Sequence, residues 1–159
     1  MGKYAAATDV AADRSRGEIE RTLQRYGARG FMYGWDETRA VVGFVIHDRQ
    51  VRFVLPLPDR ADAEFSRTPT GRERTANAAQ DAYDQAVRQR WRALALVLKA
   101  KLEAVETGLV TFEQEFLAYL VLPSGETVGD AVMPRVAEAY RTGTTPPLLP
   151  FYGPGAITQ

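Results

Sequence analysis

Three cations recur on one side of a helical stretch. Arg88, Arg92 and Lys99 fall within about 40° of one another on a projection of 100° per residue. Such a row suits phosphate contact, in which each neutralised phosphate releases condensed counterions. It equally describes a solvated helix face, because Asp84 to Arg88 and Lys99 to Glu103 are pairs of opposite charge four residues apart, the first in the favourable order. Pairs of that kind stabilise a helix by about 0.3 kcal/mol each. Arg67, Arg72 and Arg74, just upstream, are the cations best placed to join a phosphate ridge.

Other chemistry is thinly represented. Asp59, Asp62 and Glu64 are oxygen donors of the kind magnesium takes, although ordinary loops are rich in them. His47 is the single histidine, beside a turn, where an ordinary strand residue is the simpler reading. The chain contains no cysteine, so thiolate nucleophiles, disulfides and sulfur-bound metals are excluded. It also lacks a nucleophile elbow, a phosphate-binding loop and a dinucleotide fingerprint. No catalytic residue, cofactor or metal is assigned, and nothing argues for an enzyme.

Phe31, Tyr33 and Trp35 alternate along a strand with Arg29, Arg39 and Arg52 nearby. Aromatics on a sheet face beside basic residues can stack unpaired bases. The alternative is that they are buried, since a chain of 159 residues needs most of its aromatics in the core.

These side chains depend on a long amphipathic helix for their positions. Tyr83, Val87, Trp91, Leu94, Leu98, Leu102 and Val105 form its apolar stripe. Thr70-Gly71-Arg72-Glu73 has capping-box spacing and predicts a start near Arg72, and Gly108 predicts an end near Glu106. At that length the helix is expected to kink, break near Ala78-Ala79 or project.

Upstream, Ser15-Arg16-Gly17-Glu18 predicts a short helix from Arg16 to Tyr26, preceded by a flexible segment over 1–14. Three alternating runs, around Phe31–Trp35, Val41–His47 and Val51–Leu57, are joined by short polar turns and predict an antiparallel meander. Its heavier apolar face, including Phe44 and Phe53, is expected to lie under the long helix. Residues 58–71 read as a polar loop. Thr111 and Thr127 then cap two smaller helices, with Pro134 expected to kink or restart the second. The fold class is therefore α+β, one domain over 15–143 followed by a Pro-rich extended tail over 144–159. In that tail Leu148, Leu149, Phe151 and Tyr152 could dock on the same domain or on a partner.

Charge is zero in total but uneven, since residues 67–104 carry eight basic and four acidic side chains while 105–159 carry two and six. That distribution excludes a strongly cationic nucleic-acid binder and allows a local basic patch. The absence of a long apolar run predicts a cytoplasmic protein without membrane association.

The stretch Arg90-Trp91-Arg92-Ala93-Leu94-Ala95-Leu96, with Thr111-Phe112-Glu113 and Thr145-Pro146-Pro147-Leu148-Leu149-Pro150, resembles uncharacterised proteins encoded in phage and prophage regions. That resemblance brings no activity and no functional residues. The order helix, three strands, long helix is similar to double-stranded-RNA-binding domains and to the strand-annealing proteins of phage recombination, in topology alone; the lysine-rich helix start of the former is missing. Two expectations follow. One is an accessory protein binding single-stranded DNA or other nucleic acid through Arg67, Arg72, Arg74, Arg88, Arg92 and Lys99, as a homo-oligomer if the tail assembles it. The other is an inhibitor or assembly factor that binds a host or phage protein through the tail and the second sheet face.

Overall fold

The computed structural model describes residues 3–149, with side chains from Ala12 onward. Helix α1 (Lys3–Arg25) leads into strands β1 (Arg29–Trp35), β2 (Arg39–Ile46) and β3 (Arg49–Pro56). A short α2 (Ala63–Ser66) precedes α3 (Ala76–Glu106), after which come α4 (Phe112–Phe116), a 3-10 turn (Leu117–Tyr119) and α5 (Val128–Thr142). The fold is α+β, with an antiparallel sheet in the order β1-β2-β3.

The apolar stripe of α3 is buried as its spacing requires, from Tyr83 through Leu102, with Val105 partly covered. The helix runs without a break. Its N-cap is Thr75, whose hydroxyl accepts from the Ala78 N–H at 3.2 Å, and not Thr70. The Thr70 spacing belongs instead to a turn: Gly71 donates to the Thr68 carbonyl, and an isolated bridge joins Arg67 to Glu73. Both motifs have a hydroxyl shortly before the helix, but only Thr75 precedes an unbroken run of helix formers. At the other end Gly108 takes φ +73°, the left-handed conformation a helix exit favours.

Helix α1 begins much earlier than the Ser15 spacing implies, so Ser15 lies inside it. Ala12 and Arg16 sit near Tyr83, Val87 and Trp91, whereas Tyr26 donates to the Glu103 carboxylate at 2.8 Å. The two helices therefore run parallel, as an odd number of antiparallel strands between them demands. Ile19 and Leu23 complete the layer that covers the sheet.

The hairpin between β2 and β3 turns at His47-Asp48, both with positive φ, one residue earlier than the polar run Asp48-Arg49-Gln50 indicated. That is the mirror-image turn whose twist suits a two-residue hairpin. An ion pair with Arg29 anchors Asp48, and the His47 ring lies against Phe112.

On the helix-facing side of the sheet, Ala40, Val42, Phe44, Val51 and Phe53 are buried. Phe116 closes this region, meeting Phe44 and Phe53 edge to face at 6.2 and 6.3 Å. The segment after α4 then adds to the β3 edge, where the Val121 N–H donates to the Gln50 carbonyl. Helix α5 follows, capped reciprocally by Thr127 and Asp130, and it continues through Pro134.

Candidate functional site

Two concave regions flank the α1–α3 pair. The first is a shallow groove of about 530 Å³ lined by Arg14, Ser15, Glu18, Gln85, Arg88, Gln89, Arg92, Ala95 and Leu96. Helical spacing explains its walls: Arg88 and Arg92 are one turn apart on α3, while Arg14 and Glu18 are one turn apart on α1. Three guanidinium groups thus share the groove with one carboxylate. None of the three forms an ion pair among the described residues. Asp84, which the sequence pairs with Arg88, is buried and accepts from Gln80 at 2.7 Å. Glu103, its counterpart for Lys99, is engaged by Tyr26.

The remaining cations are dispersed. Lys99 lies two turns beyond Arg92, roughly 10 Å along the helix axis, outside the groove lining. Arg74, Arg72 and Arg67 belong to the segment before α3, whose first residue, Ala76, is already roughly 18 Å from Arg88 by helical rise. The Arg74 side chain donates to the Arg67 carbonyl at 3.2 Å, and Arg67 and Arg72 are exposed. Arg14 was not legible as a site residue, because it falls in the segment read as flexible. Its signal was the helical spacing Arg14, Glu18, Arg21, Arg25, which continues upstream of Ser15.

The second region is a cleft of about 790 Å³ at the β1–β2 turn. Its walls include Trp35 from β1, Leu57, Pro58, Asp59 and Arg60 after β3, and Tyr83, Val87 and Trp91 from α3. Tyr33 and Trp35 were expected under the long helix with the rest of their sheet face. They remain 42% and 57% exposed because α1 meets them with Arg16 in place of an apolar residue. Arg16 is only 6% exposed; its guanidinium lies 4.6 Å from the Tyr33 ring centre, 5.3 Å from Trp35 and 5.7 Å from Trp91, and it pairs with Asp13. Arg60 stacks on Tyr83 at 3.9 Å and donates to Gln80 at 2.7 Å.

Asp36 and Glu37 stand at the mouth. The Thr38 hydroxyl, with the backbone N–H groups of Thr38 and Arg39, holds the Asp36 carboxyl down at about 2. That Asp36 oxygen is thereby committed to the turn.

Among the described residues, no three His, Asp or Glu side chains gather as a metal ion would need, so Asp59, Asp62 and Glu64 do not form a cluster. Asp59 accepts from the Ala61 N–H at 2.8 Å, and Asp62 precedes α2. No helix among those residues is long and apolar enough to cross a membrane. Leu148 and Leu149 are exposed; Phe151 and Tyr152 lie outside the described residues. The outer sheet face leaves Met32 63% and Val54 49% exposed. The chain matches no protein-family model, no curated protein and no solved structure at a significant level.

Proposed function

We propose that this chain is a non-catalytic, phage-type accessory protein that binds single-stranded or distorted nucleic acid, with Arg14, Arg88 and Arg92 holding phosphates. The observation that carries the reading is the meeting of three guanidinium groups in one groove with a single carboxylate among them. Arginines without a carboxylate partner are available for charge-assisted, bidentate contacts to phosphate oxygens. Lys99 lengthens the track along α3, while Arg67, Arg72 and Arg74 serve a longer ligand only at its far end. The phage assignment rests on the motif resemblance around Trp91. Fluorescence anisotropy of labelled single-stranded DNA, duplex DNA and RNA at two salt concentrations tests the reading. Single strands should bind most tightly at low salt, and a variant with alanine at Arg14, Arg88 and Arg92 should lose that binding; absence of binding at low salt would remove it.

The exposed apolar side chains of the outer sheet face favour a second reading, in which a host or phage protein docks there with help from Leu148 and Leu149. Capture of a defined partner that Met32→Lys abolishes, with no nucleic-acid binding, would favour it over the first.

A further inference from the structure

The cleft at the β1–β2 turn has a chemistry that phosphate contact does not use. We infer that it is a stacking site for one unpaired purine base. Trp35 offers a large exposed indole in the cleft wall, and the nearly parallel Tyr33 ring stacks beside it, 5.9 Å between centres and tilted by 9°. Arg16 and Arg60 bring guanidinium groups against aromatic rings of the cleft wall, Arg60 3.9 Å from the Tyr83 ring centre and Arg16 5.3 Å from that of Trp35. Glu37 and Asp59 supply acceptors at the mouth.

The occupant must therefore be planar, with donors and acceptors on its edges. A purine has both: ring nitrogens and, in guanine, a carbonyl oxygen accept from guanidinium, while amino and imino N–H groups donate to carboxylate. Competing ligand classes fit less well. A bare phosphate would meet Asp36, Glu37 and Asp59, a cationic side chain would meet Arg16 and Arg60, and an aliphatic group would make no use of the Glu37, Asp59 and Arg60 side chains that line the cleft. The volume of about 790 Å³ falls within the usual range for small-ligand sites and accommodates the sugar as well.

Val87 and Trp91 line the cleft, and their neighbours Arg88 and Arg92 line the groove, so one stretch of α3 serves both regions. A base presented by a strand rests on the nucleic-acid reading above. A free purine nucleotide does not, and the two sources share the same edge and stacking chemistry.

The two tryptophans of the chain, Trp35 and Trp91, both line the cleft, so intrinsic fluorescence reports on it directly. The protein is titrated with guanosine monophosphate, ribose phosphate, a purine single strand and an abasic strand of equal length, with anisotropy on the two labelled strands. The expected result is quenching by the purine strand but not by ribose phosphate or the abasic strand. Trp35→Ala should weaken the purine strand by about 5- to 100-fold, the range base stacking supplies, and leave abasic-strand binding unchanged. Arg60→Ala, at an exposed position, should weaken purine binding in the same direction.

Quenching by guanosine monophosphate without strand binding would keep the cleft as a purine site and remove the nucleic-acid reading. Strand binding with no quenching by either purine probe would overturn the cleft assignment and leave the groove standing. Equal quenching by purine and abasic strands would overturn it too.

Discussion

The helix-facing side of the sheet holds two groups of aromatic residues, and they behave differently. At β2 and β3, Phe44, Phe53, Phe112, Phe116 and Tyr119 contact one another, with Phe53 stacked on Tyr119 at 3.9 Å. Lys101 lies above Phe116 and Tyr119 and is paired with Glu115 at 2.8 Å, so its charge is neutralised at the edge of that group. At β1, Tyr33 and Trp35 meet a buried arginine and border open space. Rings satisfied by rings form core. Rings that share their faces with guanidinium and keep part of their area in solvent form a surface with chemistry still to offer.

The largest test of that contrast is a pair of truncations. Phe116→Ala should destabilise the protein by about 3 to 5 kcal/mol, as expected for a fully buried aromatic. Trp35→Ala should cost less than about 1 kcal/mol. Urea unfolding of both variants measures this, and similar losses would erase the distinction between the two groups.

Gly129 probes how tightly the β3 side is closed. A β-carbon there would stand 2.8 Å from the Ala118 carbonyl oxygen, so Gly129→Ala should destabilise by about 1 to 3 kcal/mol in the same assay. Next comes the start of α3, which supports the cleft through Tyr83. Thr75→Ala should cost about 1 kcal/mol through loss of the cap, and Thr70→Ala within about 0.5 kcal/mol.

The smallest effect concerns the turn at the cleft mouth. Asp36 is held at about 2 against an ordinary value of 3.8, so its contribution to stability is complete above pH 4 and is lost as pH falls toward 2. The melting-temperature difference between wild type and Asp36→Ala should accordingly shrink between pH 5 and pH 2. A difference that stays constant over that range would mean the carboxylate is not what holds the turn.

Periodicity made much of this fold legible. The α3 stripe, the three-stranded meander and the Thr111 and Thr127 caps follow from residue spacing, because burial enforces period 3.6 on a helix and period 2 on a strand. Capping-box spacing was less discriminating. Thr70 and Ser15 both satisfy it, yet one lies in a turn and the other inside α1, because the motif is short and the helix-forming sequence around it decides. The candidate groove was half legible: Arg88 and Arg92 share a helix face, but Arg14 reaches them only because α1 and α3 run parallel, a relation between distant elements. The cleft was least legible. Tyr33 and Trp35 alternate like core residues, and only the placement of Arg16 over them reveals an exposed surface.

The most direct test of the nucleic-acid reading is the salt dependence of single-strand binding. Three phosphate contacts should give a slope of about −2 in log K against log salt, and alanine at Arg14, Arg88 and Arg92 should flatten it nearly to zero. Wild-type binding that does not respond to salt, or a slope that survives the triple substitution, would contradict the assignment of the groove.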